Sequence, residues 1–257
     1  MDTEKACVLL AEHGVLLQEL FVNCPSDVKG DALAEIRRMQ RDYGLRFTSM
    51  HPFTSVIEGT LFFSDSARRF ADGCDIYRHY FLAAASLDIP CFVFHGQHTS
   101  KKAEAFPFSR TLERFELLRE LAWREFGVVV AQENVVNYQS GELAFLQQMK
   151  EQLPDARFVL DFKQAVRMGV TIKTLIQLLG ERIVHLHLSD HQAGASCLPP
   201  FTGVCDYAGL FQLLEQKGYQ GSGVIELYRE SFQDISQLLK SLQTFNERFP
   251  TGERGRK

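Results

Sequence analysis

Short apolar runs alternate with longer stretches of helical periodicity along almost the whole chain. In stretches such as DALAEIRRMQRDYG and SRTLERFELLRELAWREFG, apolar residues recur every three or four positions, which is typical of amphipathic helices. Several of these stretches end in Gly or Pro, as helices commonly do before a following strand. The apolar runs between them predict seven strands, at residues 16–22, 46–51, 91–95, 128–133, 157–161, 182–188 and 223–228.

Strands that are separated by helices are joined by right-handed crossovers into a parallel sheet. The chain has 257 residues, which is close to the roughly 250 residues of a (β/α)8 barrel. No linker and no low-complexity segment interrupts the pattern. We therefore predict one α/β domain over residues 1–257, with a frayed tail at 250–257.

The pattern begins in a helical segment, EKACVLLAEHG, with no strand before it. We therefore expect a TIM (β/α)8-type barrel that lacks its first β-strand and has seven strands. Strands 16–22 and 223–228 would then be unpaired neighbours. Exposed strand edges favour pairing with another chain, and a homo-oligomer is one expected result.

The composition is that of an ordinary globular protein, with 45% hydrophobic and 23% charged residues. A net charge of −4 provides no basic field for nucleic acid. No run approaches the roughly 20 apolar residues that cross a membrane, and the N-terminus does not resemble a signal peptide. The six cysteines form no CxxC pair, which favours reduced thiols in the cytoplasm over a disulfide framework.

A residue of a metal-binding type stands at the end of six predicted strands. These residues are His51, His95, Glu133, Asp161, His187 and Glu226. The carboxyl ends of parallel strands gather on one face of a sheet, where α/β enzymes build their active sites. We therefore expect the six side chains to converge at one mouth of the barrel.

Four of the six follow one another at a spacing of about one βα unit. The separations are 28, 26 and 39 residues along the series Glu133, Asp161, His187 and Glu226. Two Glu, one Asp and one His suit Mn²⁺, Mg²⁺, Co²⁺ or Zn²⁺, with open positions for substrate oxygens. A single carboxylate at a strand end is more often solvated or a helix cap, but six such residues together favour a shared site.

Two histidines lie two positions apart in the run RIVHLHLSDH, and so they share one face of the predicted strand. His187 is nearer the mouth and is the candidate ligand. His185 lies one layer beneath it, and we expect a hydrogen-bonded interior histidine that supports His187.

The segments HPF, FHG, QEN, HLHLSD and GYQGSGVIELY occur in an order that resembles the xylose isomerase-like TIM barrels. That superfamily includes sugar phosphate isomerases and epimerases, ketose 3-epimerases and the type-four apurinic endonucleases. The resemblance covers essentially the whole chain. It implies a divalent metal held by Glu133, Asp161, His187 and Glu226.

The resemblance also implies a reaction on a small sugar, sugar phosphate or cyclitol. Glu133 and Glu226 would act as the acid/base pair that moves a proton on a carbon next to a carbonyl. The metal would stabilise the enediolate oxygen as its charge develops. Substrate contacts are expected from four further residues at the mouth: His51, His95, Lys163 and Gln164.

Two positions depart from the family pattern. The family's D-x-x-H reads Asp161-Phe162-Lys163-Gln164 here, and the amide of Gln164 cannot shuttle a proton. The Arg that ketose 3-epimerases carry six residues beyond the ligand His is replaced by Ala193. Lys163 either offers a charge to a phosphate or is a solvated loop lysine.

Three interpretations therefore stand beside one another. The first is an active metal-dependent isomerase or epimerase, and a related lyase or dehydratase would use the same residues. The second is a catalytically degenerate barrel that binds a sugar or a partner protein. The third is the nuclease, which needs a three-metal cluster, whereas the segment FTGVCDYAG supplies Asp206 with no neighbouring His.

Overall fold

Strands and helices alternate along the chain as the hydrophobic pattern predicts. The computed structural model describes residues 2–99 and 106–249 without the side chains of 54 and 56, and the tail at 250–257 lies outside these residues. The strands are β1 (Leu17–Val22), β2 (Arg46–Pro52), β3 (Cys91–Phe94), β4 (Val129–Glu133), β5 (Arg157–Asp161), β6 (Ile183–Leu188), β7 (Asp190–Gln192), β8 (Ala195–Leu198) and β9 (Ser222–Ile225). The helices are α1 (Thr3–Glu12), α2 (Gly30–Tyr43), α3 (Glu58–Phe62), α4 (Ala67–Ser86), α5 (Phe108–Phe126), α6 (Leu143–Gln152), α7 (Phe162–Arg167), α8 (Ile172–Leu179), α9 (Tyr207–Gln216) and α10 (Ile235–Arg248).

Seven of the strands form one parallel sheet in the order β1-β2-β3-β4-β5-β6-β9. Each strand pairs with the next one along the chain, as in a TIM barrel. The predictions of a TIM-type barrel and of seven strands are confirmed. The last strand ends at Ile225 and not at residue 228, although the Glu226 amide still donates a hydrogen bond to the Leu188 carbonyl at 3.1 Å.

A small antiparallel hairpin, β7–β8, follows β6 at the mouth and was not predicted. Its strands are short and mixed in polarity, so they carry no strong periodic signal. The Asp190 carboxylate holds the next loop, because it accepts hydrogen bonds from the amides of His191 (2.7 Å), Gly203 (3.0 Å) and Cys205 (2.9 Å). Ala193 lies exposed in the hairpin turn.

The barrel has a seam between β1 and β9. Within residues 2–99 and 106–249, β1 pairs only with β2 and β9 pairs only with β6. Leu17, Glu19 and Phe21 share one face of β1, and the side chains of Leu17 and Phe21 are 42% and 48% exposed. The two neighbouring edge strands that the sequence predicts are therefore present, and large apolar side chains are exposed beside the seam.

The main core fills the space between the sheet and the helices. Phe62, Tyr77, Phe81, Phe92 and Phe94 are fully buried there and contact one another at ring-centroid distances of 4.7–6.5 Å. Burial of a side chain of this size contributes about 1.5–3 kcal/mol each. This layer fixes the helices against the outer face of the sheet.

A second, smaller cluster fills the lumen. It consists of Cys91, Val93, Ala131 and Val159, with Val184 packed against it. The first four residues come from β3 to β5 and alternate with the outward-facing core residues, as the two-residue period of a strand requires. Val184 lies at the irregularity in the pairing of β5 with β6. The polar residues of the mouth lie on the same inward face, further along each strand.

At three helix ends, a residue close in sequence caps the helix. Ser66 caps α4 by accepting a hydrogen bond from the Arg69 amide at 3.3 Å, and Thr171 caps α8 by accepting one from the Thr174 amide at 3.0 Å. The helix α2 ends at Gly44, whose φ of 69° lies in the left-handed region that glycine adopts without strain. These residues mark where the three helices begin or end.

Candidate active site

Four strands bring Glu133, Asp161, His187 and Glu226 around one point at the mouth of the barrel. The four potential ligand atoms all lie within 4.8 Å of one another. The His187 Nδ1 atom is 3.1 Å from Glu226 Oε2, 3.2 Å from Glu133 Oε1 and 3.7 Å from Asp161 Oδ2. The spacing of the four residues along the sequence therefore corresponds to real proximity in space.

The donor set fits a divalent cation. Glu133 Oε2 and Asp161 Oδ2 are buried, and among the described residues neither oxygen accepts a hydrogen bond of good geometry, although each has a cationic neighbour. Buried carboxylate oxygens of this kind normally bind a hydrogen-bond donor or a metal. Three carboxylates and one imidazole are ligands that Mn²⁺, Co²⁺ and Zn²⁺ accept.

A second group of side chains surrounds the other edge of Glu133. His95 Nε2 is 2.7 Å from Glu133 Oε2 and 3.0 Å from His51 Nε2, and the His51 ring stacks on Phe21 with ring centroids 5.0 Å apart. His51 is 5% exposed. The six strand-end residues of the sequence analysis therefore all meet, with Glu133 between the two groups.

Lys163 is buried in the site and is not a solvated loop residue. It is 3% exposed, and its Nζ atom is 2.9 Å from Glu226 Oε2 and 3.1 Å from Asp161 Oδ2. The ammonium group also lies 4.7 Å from the centre of the Tyr228 ring. Its charge is directed at two of the three quartet carboxylates.

Gln164 is turned away from the carboxylates. Its side-chain oxygen accepts a hydrogen bond from the Val136 backbone amide at 3.3 Å, and the backbone amide of Gln164 donates to Asp161 Oδ1 at 2.7 Å. Asp161 is thus the N-cap of α7, and one carboxylate oxygen orients the helix while the other faces the quartet. Asp206 likewise caps α9 through the Gly209 amide at 3.0 Å.

Opposite charges determine the protonation of the quartet. Burial alone would lower the pKa of His187, but the carboxylates of Glu19 and Glu226 outweigh it and hold this pKa well above its usual range. Burial would raise the pKa of Glu133, yet the adjacent His95 and His187 lower it below its usual value. Protons on histidines balance the carboxylates, and a bound cation would displace such protons.

The pKa values of Asp161 and Lys163 are both raised, for different reasons. Burial and the neighbouring Glu226 charge raise the pKa of Asp161. Burial would lower the pKa of Lys163, but Asp161 and Glu226 outweigh it and raise this pKa. The two carboxylates therefore favour the protonated form of Lys163.

Two buried carboxylates near the site were missed by the sequence analysis. Glu19 on β1 lies 3.1 Å from His187 Nε2. Glu58 accepts hydrogen bonds from Tyr77 Oη (2.8 Å) and from the backbone amide of Gly96 (2.6 Å), and so it holds the loop after β3. A charged residue at an inward position of an apolar strand, as in LLQELFV, was the available signal for Glu19.

The interior histidine is placed as expected. His185 is fully buried, and its ring nitrogens lie 3.0 Å from Ser49 Oγ and 3.0 Å from Ser222 Oγ. Its ring centroid is 5.2 Å from that of His187. His185 therefore lies directly beneath the quartet and has partners on both ring nitrogens.

The fold and the arrangement of strand-end residues define the class of protein. Over residues 7–248 the sequence matches the family described as xylose isomerase-like TIM barrel, and the chain belongs to this family. No curated protein matches the sequence.

Solved structures resemble the chain over nearly its full length. A D-tagatose 3-epimerase-like protein superposes with a TM-score of 0.80 at 16% identity, over 96% of this chain and 92% of that one. The IOLI protein with a binding zinc atom gives a TM-score of 0.77 at 15% identity, over 98% and 95%. The probable 3-DHS dehydratase AsbF from Bacillus anthracis gives 0.74 at 16% identity, over 96% and 94%. At these identities the similarity establishes the fold.

No helix in the part of the chain that the structure describes combines the length and the apolar character needed to cross a membrane.

Proposed function

We propose that this protein is a metal-dependent isomerase or epimerase of a small sugar, sugar phosphate or cyclitol. The observation that carries the proposal is the convergence of Glu133, Asp161, His187 and Glu226, with ligand atoms within 4.8 Å of one another in a largely buried mouth. The similar solved structures include sugar epimerases and a zinc-containing protein, which supports this proposal.

The four quartet residues would hold one divalent ion, Mn²⁺, Mg²⁺, Co²⁺ or Zn²⁺. When bound, such an ion supplies positive charge to the carbonyl and hydroxyl oxygens of the substrate. The proposal includes all four ions, because three carboxylates and one imidazole can bind each of them.

Glu133 and Glu226 are suited to proton transfer from different positions. The side chain of Glu226 is 28% exposed and that of Glu133 is 2% exposed, so Glu226 lies nearer the solvent and Glu133 lies deeper in the mouth. One carboxylate removes the proton from the carbon next to the carbonyl, and the other returns it. His95 Nε2 lies 2.7 Å from Glu133 Oε2, so a protonated His95 would hold this carboxylate by its charge.

Substrate contacts are assigned to the remaining polar groups of the mouth. His51 and His95 present ring edges beside Glu133, and Lys163 presents its ammonium beside Glu226. Gln164 would contact the substrate through its side-chain amide, whose oxygen accepts a hydrogen bond from the Val136 backbone amide. A small carbohydrate is the class of substrate for which such hydrogen-bonding groups are suited.

Elemental analysis of the purified protein tests the metal site. We expect about one divalent ion per chain, and we expect its loss in Asp161→Asn and its retention in Asp206→Asn, a helix-cap control outside the quartet. Absence of metal after reconstitution contradicts the proposal. Two or three zinc ions per chain favour the nuclease instead.

Proton transfer is tested separately with a panel of ketoses, their phosphates and keto-cyclitols in D₂O. Deuterium should enter the carbon next to the carbonyl with the wild type, and both Glu133→Gln and Glu226→Gln should abolish the exchange. Unchanged turnover in both variants rules out the acid/base assignment.

One observation favours a second function, a catalytically degenerate barrel that binds a sugar or a partner protein. The Lys163 ammonium is bonded to two quartet carboxylates and so competes with a metal for them. A protein of this kind would bind sugar without metal and without exchange of carbon-bound protons. Isothermal titration with and without a chelator separates the two functions.

A cytoplasmic location is part of the same proposal. All six cysteines are free in the structure, and four of them are buried, which suits a reducing compartment. Cell fractionation with an antibody against the chain tests the location.

A further inference from the structure

His187 has carboxylates on both sides of its ring. Its Nδ1 atom faces the quartet, with Glu226 Oε2 at 3.1 Å and Glu133 Oε1 at 3.2 Å. Its Nε2 atom faces away from the quartet, toward Glu19 Oε2 at 3.1 Å. A neutral imidazole carries one N–H and one lone pair, so the partner of Nε2 decides whether Nδ1 is free to bind a cation.

We infer that Glu19 is the positioning residue of this site. It accepts the Nε2–H of His187 and thereby directs the Nδ1 lone pair into the quartet. The inference rests on the metal site proposed above and adds a residue to which no role has been assigned. Carboxylates that accept the distal N–H of a ligand histidine fix its tautomer and ring orientation and raise its basicity.

Glu19 is itself held in place. Its Oε2 atom accepts a hydrogen bond from Ser49 Oγ at 2.6 Å, and His185 Nε2 lies 3.6 Å away. The side chain is 10% exposed. These contacts hold one carboxylate oxygen toward His187, which is what orienting a ligand histidine requires.

One assignment of protons satisfies every contact in this layer. Ser222 donates to His185 Nδ1 at 3.0 Å, His185 Nε2 donates to Ser49 Oγ at 3.0 Å, and Ser49 donates to Glu19. The Nε2–H of His187 then donates to the same Glu19 oxygen. The expected role of His185 is thereby made specific, since it supports His187 through Ser49 and Glu19.

Loss of Glu19 would leave the ring of His187 free to carry its proton on Nδ1. That proton would be stabilised by Glu133 and Glu226, and it would block the lone pair needed by the cation. Removal of a carboxylate in this position typically weakens metal binding by about 10- to 100-fold. An amide at position 19 can still accept the Nε2–H, so Glu19→Gln should retain most of the affinity.

The test is titration of the metal-free protein with Mn²⁺ and with Zn²⁺, recording stoichiometry and Kd. We expect Glu19→Ala to bind about one ion with Kd raised about 10- to 100-fold, and Glu19→Gln to change Kd only a few-fold. Leu17→Ala, two residues before Glu19 on the same face of β1 but exposed, is the matched control and should match the wild type. Wild-type affinity in Glu19→Ala overturns the inference.

Nitrogen-15 spectra of the histidine rings give a readout that does not depend on activity or on metal. In wild type and Leu17→Ala, the Nε2–H of His187 should exchange slowly with solvent, and in Glu19→Ala it should exchange rapidly. If the wild type binds no metal, the proposed function fails while this measurement still decides the role of Glu19. A fall from two bound ions to one in Glu19→Ala would make Glu19 a ligand of a second cation and overturn the positioning role.

Discussion

Lys163 and Glu226 form an ion pair at 2.9 Å, at a place where the resemblance predicted a metal ligand. Lys163 is almost completely buried, and its ammonium also contacts Asp161 at 3.1 Å. Two quartet carboxylates therefore share the Lys163 ammonium before any metal is added. A divalent ion has to displace the ammonium or share its oxygens, and this determines how the site responds to substitution.

Replacement of Lys163 should move apo stability and metal affinity in opposite directions. In Lys163→Met the buried carboxylates lose their cation, and we expect the metal-free protein to lose about 2–4 kcal/mol of unfolding free energy. The more negative site should bind Mn²⁺ about tenfold more tightly, since less positive charge opposes the ion. Chemical denaturation and calorimetric titration measure the two effects.

The control for this experiment is Lys173→Met, which removes an exposed lysine from α8. It should leave both quantities within experimental error of the wild type. Weaker Mn²⁺ binding in Lys163→Met would mean that the lysine supports the ligands and does not compete for them.

Glu58 should make the protein less stable as the pH rises. Burial raises the pKa of Glu58 to about 7, whereas its ordinary value is 4.5. The folded state therefore holds a proton that the unfolded state releases between these values, and unfolding free energy falls across pH 4.5 to 7. Glu58→Gln keeps the carbonyl acceptor for His95 and Gly96 amides and cannot titrate.

We therefore expect the stability of Glu58→Gln, relative to the wild type, to rise by up to about 3 kcal/mol between pH 4.5 and 7. Denaturation in guanidinium at several pH values measures the difference. Glu113→Gln, an exposed substitution on α5, controls for the loss of one charge. Parallel pH profiles for Glu58→Gln and the wild type would contradict the buried-carboxylate explanation.

Gly221 allows β9 to approach β6 closely. A Cβ atom at this position would lie 2.1 Å from the Val184 carbonyl oxygen, a backbone atom that cannot turn aside. Gly221→Ala should therefore cost about 2 kcal/mol or more, and it should weaken metal binding because Glu226 directly follows β9. Thermal melts and Mn²⁺ titration are the measurements.

The matched variant is Gly223→Ala, which lies two residues further along the chain and within β9. Its Cβ would meet Leu186 Cβ and Leu188 Cδ1 at 3.3 Å, which is tight but involves side-chain atoms. A smaller loss of stability is expected there. Equal losses in the two variants would show that any side chain on this strand is costly.

Metal binding should stabilise the fold if the quartet is the binding site. At a free metal concentration of one hundred times Kd, the gain is about 2.7 kcal/mol. Wild type should show this gain in Mn²⁺ or Zn²⁺, and Asp161→Asn should show none. A gain of the same size in Asp161→Asn would place the ion elsewhere.

The parts of this structure that the sequence predicted are those governed by short-range periodicity. Strand alternation placed His187 on the inward face, and the ends of successive strands located Glu133 and Asp161 at the mouth. The hydrophobic pattern also predicted the two edge strands at the seam, since the first strand-like run pairs only with β2 in the described residues.

The parts that were missed depend on distances across the barrel. Glu19 and His187 are 168 residues apart, and no local pattern relates them. The direction of a long side chain such as Lys163 is likewise set by its partners and not by its neighbours in sequence. Glu58 lies in a short helix after β2 with no periodic signal, and its burial follows from its hydrogen bonds to the loop after β3.

The seam between β1 and β9 has a thermodynamic consequence for the mouth. The row of hydrogen bonds from Ser222 through His185 and Ser49 to Glu19 joins the two edge strands across the lumen and ends at His187. Strand separation and cation binding are therefore linked equilibria, and linkage is reciprocal. An ion that fixes His187 should therefore slow amide hydrogen exchange along β1 and β9. By the same reciprocity, separation of these two strands should weaken binding of the ion.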